Sequence, residues 1–144
     1  MVILIAEDNV AIRLGLQTLL KAEHDVIACA DGEEALRHLE GTSIDLVITD
    51  YQMPKVDGLE LIRRGKVISP STAFLMMTAH ASVEHAVKAI QMGADDYITK
   101  PFDVTEVTHR LKRIEELRSI KIGRARRVPI TVLDEYVARQ LTTY

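Results

Sequence analysis

Short apolar runs alternate along the chain with longer segments in which apolar residues recur every three or four positions. The runs are almost continuously hydrophobic, as expected for strands that are covered on both faces of a parallel sheet. They are VILIA (2–6), DVIACA (25–30), IDLVIT (44–49), AFLMMT (73–78) and YIT (97–99). The segments between them have the period of amphipathic helices. Five strands alternating with five helices predict an α/β fold with a parallel sheet wrapped by helices.

Each predicted helix carries an apolar stripe. The stripes are Ile12, Leu16, Leu19 and Leu20; Ala35, Leu36 and Leu39; Leu59, Leu61 and Ile62; Val83, Ala86, Val87 and Ile90; and Val104, Val107, Leu111, Ile114 and Leu117. The spacing of Asp103 and Glu106 resembles a capping box and predicts the start of the fifth helix. Because parallel crossovers are right-handed, the carboxyl ends of the strands share one edge, where such sheets bind ligands.

The length of 144 residues fits one domain of ordinary size. The helical pattern weakens after Leu117, so residues 1–118 are predicted to form the domain. Residues 119–144 are predicted to form a basic linker and a short tail, in which ITVLDEYVARQLTTY is compatible with a short helix.

Charge is unevenly distributed between these parts. Residues 1–108 carry nine basic and seventeen acidic side chains, a balance of −8, whereas residues 109–144 carry nine and four, a balance of +5. An acidic body with a basic end indicates two separate roles, or a domain followed by a linker.

Cysteine content and hydropathy exclude several classes of protein. The single Cys29 excludes an internal disulfide and a cysteine-based zinc site, and it favours a reducing compartment. No apolar stretch approaches the ~20 residues needed to span a bilayer. The N-terminal MVILIA lacks the basic flank of a signal peptide. The prediction is a cytoplasmic protein with no membrane partner.

Polar side chains end or follow four of the predicted strands at the shared edge. They are Glu7 and Asp8 after the first strand, Asp50 after the third, Thr78 as the last residue of the fourth and Lys100 after the fifth. Aspartate is an acceptor of phosphoryl groups, and Mg²⁺ prefers carboxylate oxygens together with waters. An ammonium and a metal offset charge on the transferred group, and a threonine hydroxyl can donate to one of its oxygens. The constellation therefore predicts Mg²⁺-assisted phosphoryl transfer to Asp50.

Taken singly, each of these residues has a structural alternative. Glu7 and Asp8 are also suited to capping the first helix, and a threonine at a strand end is often structural. Lys100 before Pro101 is typical of a solvated turn with extended backbone. Their joint occurrence at strand ends favours the functional interpretation.

Four segments together resemble the receiver domain of two-component response regulators. They are AEDN (6–9), VITDYQMPKVDG (47–58), MTAHA (77–81) and DDYITKPFD (95–103). The resemblance covers about residues 1–118 and implies a flavodoxin-like (βα)5 fold, a three-layer sandwich with strand order 2-1-3-4-5. It also implies that Asp50 accepts a phosphoryl group from a sensor histidine kinase or a phosphotransfer protein. The chain would then be a switch, with only self-phosphorylation and self-dephosphorylation chemistry of its own.

The resemblance implies a metal site around the phosphoacceptor. Asp8, Asp50 and the backbone carbonyl of Gln52 would bind Mg²⁺, with Mn²⁺ as the alternative ion, and Glu7 would act through water. Gly58 is expected to shape the loop after Asp50 because glycine tolerates positive φ.

The resemblance also implies that Thr78 and Lys100 contact the phosphoryl group. Tyr97 matches the switch aromatic of the family, which turns inward as Thr78 moves toward the phosphate. The alternative is an aromatic residue that stays at the edge of the core. Gln52 and His80 lie where the family tunes the access of hydrolytic water, so they are predicted to set the lifetime of the acyl phosphate.

The output of the switch has several interpretations. The basic run over residues 110–127 fits a solvated linker, a DNA-contacting arm or the start of a linker in a longer regulator. MTAHA and DDYITKPFD resemble segments of sigma-54-type, NtrC-like transcription activators, in which DNA is bound by a further domain. Other interpretations are a stand-alone receiver that acts by protein–protein contact, and a homodimer through the fourth helix, fifth strand and fifth helix.

A haloacid-dehalogenase-type phosphohydrolase is the enzymatic alternative, since that class also uses Asp, Mg²⁺, Thr and Lys. Its nucleophile lies on the first strand in a D-x-D pattern. Here Asp50 ends the third strand, and Gln52 stands where the second acid would be. The sequence therefore favours the switch.

Overall fold

The computed structural model describes residues 1–79 and 82–125, with side chains described as far as residue 119. The chain divides into two compact units, Met1–Phe102 and Asp103–Tyr144. The elements are β1 (Val2–Ala6), α1 (Val10–Leu20), β2 (Asp25–Cys29), α2 (Gly32–Gly41), β3 (Leu46–Asp50), α3 (Gly58–Ile68), β4 (Ala73–Thr78), α4 (Val83–Met92), β5 (Asp96–Thr99) and α5 (Val104–Ala125).

The five strands form one parallel sheet in the order β2-β1-β3-β4-β5. All residues of β3 and β4 are buried, and so are Ile3 to Ala6 of β1. Such continuous burial is expected of central parallel strands. The strand order and the alternation with five helices confirm the predicted flavodoxin-like α/β fold.

The predicted strand positions are confirmed with shifts of one or two residues at the ends. β1 and β4 coincide with the predicted runs, and β5 begins one residue earlier, at Asp96. β3 begins at Leu46 and ends at Asp50 itself. The backbone of Asp50 is therefore held in the sheet, where it pairs with Met77 of β4.

Each helix begins at a side chain that accepts a backbone hydrogen bond. In the first unit, Asn9 accepts from Ile12 N–H, Asp31 from Glu34 N–H, Asp57 from Glu60 N–H and Ser82 from His85 N–H, at 2.8–3.0 Å. These caps satisfy N–H groups that have no partner within the helix. In the second unit Asp103 accepts from Glu106 N–H at 2.8 Å, which confirms the predicted start of α5.

The buried face of α4 matches the predicted stripe only in part. Ala86 is buried as predicted and Ile90 is half-buried, but Val83 is 77% exposed and Val87 is 48% exposed, and Ala89, outside the stripe, is buried. α4 contacts β5, and alanines on the inner face leave room for a close approach. The stripe of α5 is buried except at its first residue, Val104, which is 59% exposed.

α5 continues beyond Leu117, the last residue of its predicted stripe, to Ala125. The first residues of the segment predicted to be a linker are therefore helical, and the division of the chain at residue 118 stays a prediction. ITVLDEYVARQLTTY lies outside the described residues. Among the residues that are described, no helix combines the length and the apolar character needed to cross a membrane.

Candidate functional site

A cavity of about 420 Å³ lies at the carboxyl edge of the sheet. It is lined by Glu7, Asp8, Asn9, Ile12, Asp50, Tyr51, Gln52, Thr78, Ala79 and Lys100. These residues come from the segments that end or follow β1, β3, β4 and β5. The structure thus brings together the acids, the threonine and the lysine that the sequence places at strand ends.

Three carboxylates meet in this cavity. Glu7, Asp8 and Asp50 each place an oxygen within 4.8 Å of the other two. Glu7 is fully buried, Asp50 is 9% exposed and Asp8 is exposed. Glu7 Oε2 is buried and has no hydrogen-bond partner within the described part of the chain. Clustered carboxylates repel one another, and a buried oxygen without a partner is costly, so this cluster could bind a divalent cation with a preference for oxygen.

Lys100 lies between two of the carboxylates. Its Nζ is 2.7 Å from Glu7 Oε1 and 3.2 Å from Asp50 Oδ1. Burial acts to lower the pKa of Lys100, but the two carboxylates outweigh it and raise the pKa above its usual value. Lys100 is therefore a charged, partly buried ammonium, and the alternative of a solvated turn residue is wrong.

The environment of Glu7 disfavours its charged form. Burial raises the pKa of Glu7 to about 7, although the hydrogen bond from Lys100 acts in the opposite direction. Its backbone is fixed by Arg13 Nη1, which donates to Glu7 O at 2.8 Å.

Because Asn9 caps α1, the alternative that Glu7 or Asp8 serves as the cap is wrong.

The Asp50 carboxylate is held by its neighbours. Its Oδ1 accepts from Tyr51 N–H at 2.8 Å, in addition to its contact with Lys100. The same N–H lies 2.8 Å from Met77 O in β4. The Tyr51 N–H and the Lys100 ammonium therefore together position Asp50, the predicted phosphoacceptor.

Gly58 begins α3 and packs against the backbone of Asp50. A Cβ at this position would lie 2.3 Å from Asp50 O, and Gly58 N–H donates to Tyr51 O at 2.9 Å. Within the described chain, the positive φ angles belong to Lys55 and Gly93. Gly58 therefore shapes this loop as predicted, but the glycine is required by the close approach of two backbones and not by a positive φ.

We expect Gly58→Ala to lower the free energy of unfolding by about 1–3 kcal/mol, because the added methyl group must displace the backbone of Asp50. Urea denaturation measures the effect. Gly15→Ala, within α1, is the matched control. A methyl group on Gly15 would meet no atom of another element within 4 Å, so alanine should raise stability by up to ~1 kcal/mol. Equal denaturation midpoints for the two variants would contradict the steric argument.

Thr78 lines the cavity and hydrogen-bonds with Tyr97. Thr78 is 1% exposed and Tyr97 is 5% exposed. Burial raises the pKa of Tyr97, while hydrogen bonds with the Thr78 side chain and the Ser82 backbone act to lower it. The structure thus places the Tyr97 ring inward, in contact with Thr78. Movement of Tyr97 as a switch stays a prediction.

Of the two residues predicted to control the phosphate lifetime, the structure describes one. Gln52 is exposed and lines the cavity, and its role in the lifetime stays a prediction. His80 lies outside the described residues. Its role in the lifetime therefore stays a prediction from the sequence alone.

Residues 3–112 match the protein family described as "Response regulator receiver domain". The chain is 40% identical over 116 residues to the alkaline phosphatase synthesis transcriptional regulatory protein PhoP of Bacillus subtilis, an alignment that covers 78% of this chain and 47% of the relative. It is 37% identical over 113 residues to the transcriptional regulatory protein PhoP of Escherichia coli, covering 78% of this chain and 51% of that protein. The chain thus spans about half the length of the curated relatives that it matches.

Among solved structures, the chain is similar to NtrX from Brucella abortus in complex with ADP. The TM-score is 0.81 at 30% identity, and the match covers 86% of this chain and 29% of NtrX. This chain therefore belongs to the family of response regulator receiver domains.

Proposed function

We propose that this chain is a phosphorylation-controlled switch of a two-component system, with Asp50 as the phosphoacceptor. The position of Asp50 is the observation that carries the proposal. Its carboxylate lies in the cavity, 3.2 Å from the Lys100 ammonium and in the same cluster as Glu7 and Asp8. Glu7 is fully buried, which leaves Asp50 as the carboxylate that combines access to the cavity with a cation beside it.

A divalent ion is proposed to complete the site, with Mg²⁺ favoured and Mn²⁺ as the alternative. Asp8, Asp50 and the backbone carbonyl of Gln52 would hold it, and Glu7 would act through water. The buried, unpartnered Oε2 of Glu7 and the three clustered carboxylates support this assignment. When bound, such an ion offsets negative charge on the transferred phosphoryl group.

The side chains of the chain itself have distinct tasks in the proposed transfer. A carboxylate oxygen of Asp50 attacks phosphorus, the bond from phosphorus to the donor breaks, and the donor leaves with the bonding electron pair. Lys100 remains an ammonium because its pKa is raised, and it pairs with an oxygen of the transferred group. Thr78 donates its hydroxyl hydrogen to another such oxygen, and Tyr97 follows Thr78 through their hydrogen bond.

The proposed phosphodonor is a sensor histidine kinase or a phosphotransfer protein, because a phosphohistidine supplies a phosphoryl group to a carboxylate at this kind of site. The proposed output is control of transcription, since both PhoP relatives are named as transcriptional regulatory proteins. DNA contact would then belong to a further domain. An NtrC-like arrangement, a stand-alone receiver and a homodimer through the fourth helix, fifth strand and fifth helix stay predictions.

Incubation with acetyl phosphate tests the proposed function. With Mg²⁺ we expect about one phosphoryl group per chain by intact-mass spectrometry, and little or none in EDTA. A phosphohydrolase would instead turn over phosphate esters many times without accumulating an adduct. Rapid turnover of p-nitrophenyl phosphate, or the absence of any adduct with Mg²⁺ present, would contradict the switch.

A further inference from the structure

An aromatic pair connects the residue after Asp50 with the first turn of α4. The ring centroids of Tyr51 and His85 are 4.9 Å apart, and the ring planes are inclined by 27°, which is a stacked arrangement. Tyr51 lines the cavity. His85 lies in the first turn of α4, where its N–H donates to Ser82 Oγ at 3.0 Å. The pair therefore bridges the phosphoacceptor loop and a helix that is distant in sequence.

The backbone of Tyr51 is hydrogen-bonded to the side chain of Asp50. Its N–H is shared between Asp50 Oδ1 and Met77 O, each at 2.8 Å, and its carbonyl accepts from Gly58 N–H at 2.9 Å. A carboxylate is a stronger hydrogen-bond acceptor than the carbonyl of an acyl phosphate, because the ionised oxygen carries more charge. Phosphorylation of Asp50 would therefore weaken one of the two hydrogen bonds that share this N–H, and the ring of Tyr51 belongs to the residue whose peptide is affected.

α4 is held at a second point by Tyr97. The hydroxyl of Tyr97 hydrogen-bonds with the Ser82 backbone and with the Thr78 side chain. The two tyrosines approach the start of α4 from different elements, one from the loop after β3 and the other from β5. The contact through Tyr51 does not include Thr78, so the two connections can be separated by mutation.

We infer that the stack of Tyr51 on His85 is a second connection from Asp50 to α4, independent of Thr78 and Tyr97. Tyr51 is then a positioning residue of the switch: its peptide responds to the phosphoryl group and its ring transmits the response to the helix. This inference rests on the proposed function, since it requires that Asp50 is phosphorylated.

Hydrogen–deuterium exchange of α4 peptides tests the inference, before and after phosphorylation with acetyl phosphate and Mg²⁺. The proteins are the wild type, Tyr51→Leu, Tyr51→Phe, His85→Ala and the double variant Tyr51→Leu/His85→Ala. They are compared at equal phosphoryl occupancy, measured by intact mass. We expect Tyr51→Leu and His85→Ala each to reduce the phosphorylation-induced change at least twofold. Tyr51→Phe should preserve it, because phenylalanine keeps the stacking ring.

The double variant distinguishes a shared contact from two unrelated effects. If the stack is the connection, the phosphorylation-induced change in α4 exchange should be no smaller in the double variant than in the single variant with the smaller change. A full α4 response in Tyr51→Leu, additive losses in the double variant, or a wild-type α4 that does not respond would each overturn the inference while leaving phosphorylation intact. A wild type that takes up no phosphoryl group would instead contradict the proposed function.

Folding is monitored separately so that the test remains decisive. Circular dichroism and urea denaturation are measured for each variant. If Tyr51→Leu does not fold, His85→Ala provides the test, because His85 is half-buried and alanine is favourable within a helix.

Discussion

Asp50→Asn is expected to abolish phosphorylation by acetyl phosphate, reducing the adduct from about one group per chain to an undetectable level. A neutral amide oxygen is a much weaker nucleophile than a carboxylate oxygen, and the amide cannot form an acyl phosphate. Asparagine is close to aspartate in size, so the cavity and the backbone around Asp50 should be preserved. Intact-mass spectrometry after incubation with acetyl phosphate and Mg²⁺ measures the result.

Asp57→Asn is the matched control for this variant. Asp57 lies in the same loop, is exposed, and caps α3 by accepting from Glu60 N–H at 2.9 Å. Asparagine caps helices about as well as aspartate, so this variant should be phosphorylated like the wild type. An adduct on Asp50→Asn would show that another carboxylate accepts the phosphoryl group, and peptide mapping would distinguish Glu7 from Asp8.

The sheet can be predicted from the sequence because parallel strands buried on both faces leave a simple pattern of apolar runs. The same pattern indicates where the chemistry lies, since the strand ends of β1, β3, β4 and β5 carry the polar residues that line the cavity. The inner face of α4 is predicted only in part in this way, since Ala86 belongs to the predicted stripe and Ala89 does not. Val83 and Val87 are more hydrophobic than Ala86 and Ala89, yet the alanines are buried, because close contact with a neighbouring element favours small side chains.

Features that depend on close contact between residues distant in sequence leave no clear signal in the sequence. Sequence reasoning predicts that Gly58 shapes the loop because glycine tolerates positive φ, but the glycine is required by its distance to Asp50 O. The stack of Tyr51 on His85 joins residues from separate elements, and no spacing rule relates them. Asn9 is different, because an asparagine just before an apolar helical stripe is a recognised helix-start signal.

Lys100→Met is expected to lower the free energy of unfolding by about 3–5 kcal/mol in EDTA, because it leaves two nearly buried carboxylates without their counter-charge. Glu7 is fully buried and Asp50 is 9% exposed, and Lys100 Nζ lies 2.7 Å and 3.2 Å from their oxygens. Methionine preserves the unbranched apolar stem of lysine. Removing Lys100 also removes the hydrogen bond that lowers the pKa of Glu7, so in the variant this pKa lies above the value of about 7 that Glu7 has beside Lys100. Urea denaturation is therefore measured at pH 7 and pH 9, and the loss should grow with pH because a protonated Glu7 conceals part of it.

Lys55→Met provides the matched control, since Lys55 also pairs with two carboxylates but its side chain is 59% exposed. Its Nζ lies 3.7 Å from Asp31 Oδ2 and 3.9 Å from Glu33 Oε2, and exposed pairs of this kind contribute at most ~1 kcal/mol. Adding Mg²⁺ should restore part of the stability lost in Lys100→Met, because an ion that binds only the folded acidic cluster stabilises it by mass action. Equal midpoints for the two variants in EDTA would show that Glu7 and Asp50 do not depend on Lys100 for their charge balance.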